Sequence, residues 1–135
     1  MLLTKECDYG TRIIRALADG TKKTMAEICD KERIPSQYAY KIIKKLESAK
    51  LLGIQRGRVG GYTLSKPLDA VTLYDVYKAV DDNMFVSECL RDDRQCPFKG
   101  SGTKGCTVHM ELARIQNMLI CELQKKTMLE LLSEA

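Results

Sequence analysis

The sequence predicts a mainly α-helical chain carrying one small β-hairpin. Three observations predict it. Apolar residues recur at spacings of three and four over most of the 135 residues. Two short runs of strand character, 51–56 and 62–64, flank the glycine-rich turn Gly57-Arg58-Val59-Gly60-Gly61. Helix-start signatures stand before the helical runs, at Thr24 with Glu27, at Ser36, and at Thr72 with Asp75.

The first helix is predicted from about Thr4 to Asp19, with Tyr9, Ile13, Ala16 and Leu17 on one face and Asp19-Gly20 as its stop. A short second helix follows the capping box at Thr24, turns Met25 and Ile28 inward, and ends near Lys31, because Pro35 disfavours helical geometry at Ile34. Ser36 is the expected N-cap of a third helix reaching about Ala49, whose stripe is Ala39, Ile42, Ile43 and Leu46. Gln37, Tyr38 and Tyr40 occupy its first turns, with at least one tyrosine expected to pack inward, and Lys41, Lys44 and Lys45 line its outer flank. The hairpin comes next, with the paired Gly60-Gly61 expected to supply positive φ.

A short helix, a brief turn, a helix with polar first turns and then a basic hairpin is the order of a winged helix-turn-helix. Residues 1–66 are assigned to that DNA-binding domain and 67–106 to a connector helix, from Thr72 to about Val80, followed by a cysteine loop. From Thr107 to about Ser133 the sequence predicts one helix, with Val108, Leu112, Ile115, Leu119 and Leu123 in register. At 1.5 Å per residue it spans about 40 Å, more than the width of a small winged domain, so 107–135 is expected to be a dimerisation helix.

Charge is divided unevenly. Residues 1–66 hold 14 Lys and Arg against 7 Asp and Glu, whereas 67–135 hold 8 against 11. A basic front half suits a polyanion, and double-stranded DNA fits the predicted fold. Gln37, Tyr38 and Tyr40 are candidates for base edges. Ser36, Lys41, Lys44 and Lys45 suit phosphates, and Arg56 and Arg58 on the wing suit phosphates or the minor groove. No apolar run approaches a membrane span, and the first residues read as no secretory signal, so a cytoplasmic protein is expected. One histidine and scattered carboxylates, without a phosphate loop or nucleophile elbow, point away from an enzyme.

Cys89, Cys96, Cys106 and His109 follow the spacing Cys-x6-Cys-x9-Cys-x2-His, through a polar stretch containing Pro97, Gly100, Gly102 and Gly105. Thiols in such a stretch suit a soft metal or an iron–sulfur cluster. Structural zinc favours closer cysteine pairs, and loop thiols without a ligand or a redox pair are the other readings. A four-ligand site lacks one donor, for which His109 and Asp8 are the candidates. Cys7, Cys29 and Cys121 lie in helical patterns and are expected to be small core residues.

Leu3-Thr4 followed by Asp8-Tyr9-Gly10 and Arg12 resembles the start of the Rrf-two family of bacterial regulators. So does the wing from Arg56 to Leu64, with its glycines followed by Tyr62. Thr72-Leu73-Tyr74-Asp75-Val76 and the three-cysteine loop before a C-terminal helix are also similar. The resemblance spans nearly the whole chain. It implies a homodimeric winged-helix transcription factor, often a repressor, in which Cys89, Cys96 and Cys106 hold a 2Fe–2S or 4Fe–4S cluster that senses nitric oxide, redox state or iron–sulfur supply. In IscR-like members a histidine after the third cysteine completes the site, corresponding to His109. In NsrR-like members an aspartate from the other subunit does so, corresponding to Asp8, and the Asp8-Tyr9-Gly10 context ranks Asp8 first. The cysteine gaps of six and nine exceed the family's usual five, which keeps a cluster-free repressor of the cysteine-metabolism type as an alternative. A metal-carrying scaffold without a DNA role is the third reading. Tyr40 replaces the base-reading glutamate of IscR-like members, so their target sequence does not carry over.

Overall fold

The computed structural model describes residues 3–91, 96 and 105–133. Its helices are α1 (Lys5–Ala16), α2 (Met25–Glu32), α3 (Ser36–Ser48), α4 (Leu73–Val80), α5 (Thr107–Gln124) and α6 (Met128–Ser133), with strands β1 (Leu52–Gln55) and β2 (Gly61–Leu64) between α3 and α4. Short 3-10 turns cover Leu68–Ala70 and Glu88–Leu90.

Helix α1 lies at the centre and packs on α2, α3 and α4. Its inner face, Cys7, Ile13, Ile14 and Leu17, meets Ile28 of α2, Ile42, Ile43 and Leu46 of α3, and Val76 and Val80 of α4 in one buried cluster. Gly10 lets α1 and α4 approach closely, because a Cβ there would lie 3.0 Å from Val80 Cγ1 and 3.3 Å from Val76 Cγ1. Both capping boxes form. Thr24 and Glu27 bond reciprocally at α2, and Thr72 and Asp75 do so at α4.

Helix α2 ends on Arg33 in the left-handed region (φ 53°), and Ile34 turns inward before Pro35 caps α3. Ser36 is therefore the first helical residue rather than the cap, and α3 begins without a side-chain cap. Proline at this boundary needs no donor of its own, because the first amides of a helix have no intrahelical acceptor. The other end of α3 is a Schellman motif: the Leu51 amide donates to the Leu46 carbonyl at 3.0 Å and the Lys50 amide to that of Glu47 at 2.8 Å, while Leu46 and Leu51 are both buried. Lys50 holds the left-handed position at φ 62°. A side chain there is strained by about 1 kcal/mol or more. Lys50→Gly removes that strain and loosens the unfolded chain, so it is expected to raise stability by about 0.5 kcal/mol, read as a small rise in the denaturant midpoint with unchanged slope.

The hairpin pairs antiparallel, with Leu52 opposite Leu64 and Gln55 opposite Gly61. Its positive-φ residue is Gly57 (φ 125°), not the expected Gly60-Gly61 pair. Those two glycines serve close approach. A Cβ on Gly60 would sit 2.8 Å from the Gln55 carbonyl oxygen, and one on Gly61 would sit 2.9 Å from that of Lys23. The second contact exists because the chain before α2 bonds to the wing: the Tyr62 amide donates to Lys23 at 2.8 Å and the Lys23 amide returns to Tyr62 at 3.1 Å.

The C-terminal region departs from the single long helix expected over 107–133. Helix α5 stops at Gln124 after 18 residues, about 27 Å, and α6 starts afresh at Met128. The break has a local cause. Thr127 and Glu130 form a capping box of their own, with the Thr127 amide donating to Glu130 at 2.8 Å and the Glu130 amide to Thr127 Oγ1 at 3.2 Å. The Met128 amide donates to the Val71 carbonyl at 2.7 Å, and the Met128 side chain enters the core. Among the described residues no helix is long and apolar enough to cross a membrane.

Candidate DNA interface and sensor site

The basic front of the molecule presents α3 and the wing. Ser36, Gln37, Tyr38, Tyr40, Lys41 and Lys44 are all exposed, as are Arg56 and Arg58 at the hairpin tip. Neither tyrosine packs inward: Tyr38 is 43% exposed and Tyr40 50%. Tyr38 rests against the ring of buried Tyr9 at 5.8 Å between centroids, while the Lys44 ammonium lies 4.6 Å from the centre of the Tyr40 ring. Hydrogen bonding to Tyr40 raises the Lys44 pKa. These residues offer an aromatic and amide surface at the start of the helix and point charges along its flank, the division expected of base and phosphate contacts.

Lys45 differs from the other candidates. Its ammonium donates to Glu6 at 2.9 Å and to the Val80 carbonyl at 2.8 Å. It ties α3 to the start of α1 and the end of α4, and sequence reading alone had placed it on phosphate. Helical spacing showed its direction from α3 but not which neighbours would reach it.

A second tie fixes the helix-turn-helix. Glu32, 7% exposed, accepts from Arg15 Nε at 3.2 Å and also from Nη2, and its backbone carbonyl accepts from Arg12 at 3.3 Å. The Glu32 hydrogen bond is the largest influence raising the Arg15 pKa, partly opposed by desolvation. Sequence reading missed Glu32, because a carboxylate near the end of a short helix carries no sign that it will be covered.

Two of the sensor candidates, Cys89 and His109, lie beside one cavity at the start of α5, and a third, Cys106, immediately precedes that helix. Cys89 lies in the 3-10 turn, half-buried, where its sulfur accepts from Ser87 Oγ at 3.3 Å. Cys89 and His109 line one cavity of about 270 Å³. Exposed Cys106 is the N-cap residue of α5, one turn before His109. Cys96 is half-buried, while Pro97, Gly100 and Gly102 lie outside the described residues. Asp8 is on the exposed face of α1, paired with Arg12 at 3.0 Å, and does not line that cavity. Among the described residues no three His, Cys, Asp or Glu side chains converge as a metal site. The donors suit a soft, thiophilic group in kind, and the fold of one chain brings two of them, Cys89 and His109, to a shared cavity.

Gln116 holds this region in place. It is buried on α5, donates from Nε2 to the Met84 carbonyl at 2.6 Å, and accepts from the Val86 amide at 2.8 Å. The segment leading to Cys89 is thereby fixed to α5. Gln116 and Asn117 both lie between the apolar positions Ile115 and Leu119, and the sequence carried no sign of which amide would be covered. The remaining cysteines divide: Cys7 is core, Cys29 is half-buried with its pKa raised by desolvation, and Cys121 is exposed rather than a core residue, because it lies away from the α5 face that meets the domain.

Three comparisons bear on this arrangement. The chain is 31% identical over 130 residues to Protein aau3 of Rhizobium meliloti (strain 1021), covering 94% of this chain and 82% of that protein. Its fold is similar to that of CymR, the global cysteine regulator of B. subtilis, with a TM-score of 0.73 at 22% identity over 98% of this chain and 96% of the other. It is also similar to T. potens IscR, with a TM-score of 0.71 at 16% identity over 97% and 85%. The profile described as Rrf2, iron-dependent transcriptional regulator, matches residues 3–134. With its two-stranded wing beside an exposed recognition helix, the chain belongs to the Rrf2 family of winged-helix transcriptional regulators.

Proposed function

We propose that this protein regulates transcription as a cytoplasmic homodimer whose affinity for a promoter operator is set by an iron–sulfur cluster. The observation that carries the reading is the shared cavity of Cys89 and His109, with Cys106 at the N-cap position of the helix that bears His109. Cys89, Cys96 and Cys106 are the proposed thiolate ligands, with Asp8 of a second copy or His109 as the fourth. Bound there, a 2Fe–2S or 4Fe–4S group supplies sensitivity to nitric oxide, oxidation or iron–sulfur supply. Its placement on exposed α1 makes Asp8 suited to reach a second copy rather than its own loop.

The chain's own residues supply a route from this site to DNA. Gln116 joins the Cys89 segment to α5, α5 packs on α4, and the end of α4 is held to α3 by Lys45 through the Val80 carbonyl. A change in the seat of α5 therefore bears on the helix that presents Gln37, Tyr38 and Lys41. The dimer reading is supported by α5 itself. Among its described side chains only Gln116 is buried, while Val108, Met110 and Met118 are half or more exposed. Large apolar side chains left exposed along one helix favour burial against another copy.

The test is anaerobic purification followed by iron and sulfide analysis, a visible spectrum and operator titration at several salt concentrations. The wild type is expected to be coloured, and Cys106→Ser to lose the colour and the dependence of DNA affinity on cluster state. An iron-free, colourless wild type with full DNA binding overturns the cluster reading. That result would favour a second one, a cluster-free repressor answering to a small thiol or a partner protein. The absence of a converged three-donor site among the described residues, and the likeness in fold to a cysteine regulator, support it.

A further inference from the structure

Behind the recognition helix, the C-terminal half of α3 and the adjacent side of α4 border an open cleft of about 550 Å³. Lys44, Lys45, Lys66 and Lys78 line it, together with Asp75 and Asp82, leaving two more positive than negative charges. Two of these groups are already engaged. Asp75 accepts from the Thr72 amide at 2.8 Å and from its hydroxyl at 3.0 Å, and Lys45 is held by Glu6 and the Val80 carbonyl.

Lys44 and Lys78 lie over the rings of Tyr40 and Tyr74. No ion pair among the described residues engages Lys44, Lys66 or Lys78. Three lysines from three separate segments thus line one space whose wall also includes Ala49 and Ala79. Ammonium groups act as point-charge partners of phosphate, and the volume matches ligand cavities of roughly 300–1,000 Å³.

We propose that this cleft binds a small molecule carrying a di- or triphosphate, nucleotide-like in size, with its phosphates between Lys44, Lys66 and Lys78 and its apolar part against Ala49 and Ala79. Binding does not depend on a cluster. It draws on Lys44, so occupancy lowers DNA affinity, and only this coupling rests on the DNA reading above.

The probes are ADP and inorganic pyrophosphate, titrated calorimetrically into the full chain at fixed ionic strength. Saturable binding of one ADP per chain is expected, with pyrophosphate weaker. Lys66→Gln combined with Lys78→Gln is expected to weaken ADP at least tenfold, while Lys31→Ala, on α2 and away from the cleft, leaves it unchanged. Both variants are first checked by thermal melting. No saturation with either probe, or equal loss in Lys31→Ala, overturns the proposal. If neither probe binds, but the double variant loses DNA affinity with a shallower salt dependence, the lysines serve the DNA backbone and the proposal also fails. An unchanged operator affinity with ADP bound overturns the coupling.

Discussion

Gly61→Val is expected to unseat the wing, lowering both stability and DNA affinity. The position has no room for a side chain: the first added carbon would lie 2.8 Å from Lys22 Cγ and 2.9 Å from the Lys23 carbonyl oxygen. The lysine stem can move aside, but the carbonyl cannot do so without breaking the paired bonds between Lys23 and Tyr62. Overpacking against backbone costs about 1–3 kcal/mol, and two lost backbone bonds cost about 1 kcal/mol each in net terms. A loss of about 3 kcal/mol is expected by denaturant titration. The functional effect separates from stability in operator titrations well below the melting temperature, where the variant should bind several-fold more weakly and with a reduced salt slope, because Arg56 and Arg58 no longer stand on a fixed hairpin. Wild-type stability and affinity in this variant would mean that the wing does not seat against Lys23.

Met128→Ala is expected to be as costly. The side chain is 1% exposed and joins the core under the 68–70 turn. Truncating a buried Met, Leu or Ile to Ala costs about 2–5 kcal/mol, depending on how far the site collapses. About 3 kcal/mol is expected here, because α6 is a six-residue helix with little to hold it once its anchor is gone. Hydrogen exchange should show faster exchange of the Met128 amide, which bonds to Val71, and of the α6 amides, ahead of α1 and α3. Unchanged protection in α6 would show that its capping box alone fixes it. Truncation at Ile13 should instead lower protection throughout the core, since that residue is fully buried on the central helix.

Most of the architecture was legible because local signals and burial agree. The capping boxes at Thr24 and Thr72 stand where the helices start, and the stripes of α1 and α3 are the faces they bury. The misreadings share a physical origin. The α5 stripe ends at Leu123 and the polar run Lys125-Lys126-Thr127 follows, but a polar turn alone does not end a helix; the break is set by the Thr127–Glu130 box and by a core site for Met128 contributed by distant residues. Glycines at 60 and 61 have two possible uses, positive φ and close approach, and the positions of the Gln55 and Lys23 carbonyls decide between them. Glu32 looked like a surface charge, and the tie made by exposed Lys45 was hidden, because their partners are 17 and 39 residues away in sequence. For the proposed sensor, residue type, spacing and family resemblance singled out Cys89, Cys96, Cys106, His109 and Asp8 as candidates, but not that Cys89 and His109 share a cavity or that Gln116 fixes the approach to it.

That glutamine also limits how the C-terminal helix can travel. Shifting α5 lengthwise by one turn would strip the main-chain oxygen of Met84 and the main-chain N–H of Val86 of their shared partner, at about 1–3 kcal/mol for each stranded group. Tilting about Gln116 keeps both bonds. Motion that begins near Cys106 is therefore expected to pass along α5 as a lever turning on a fixed pivot, with the far end near Gln124 swinging opposite to the end that carries His109.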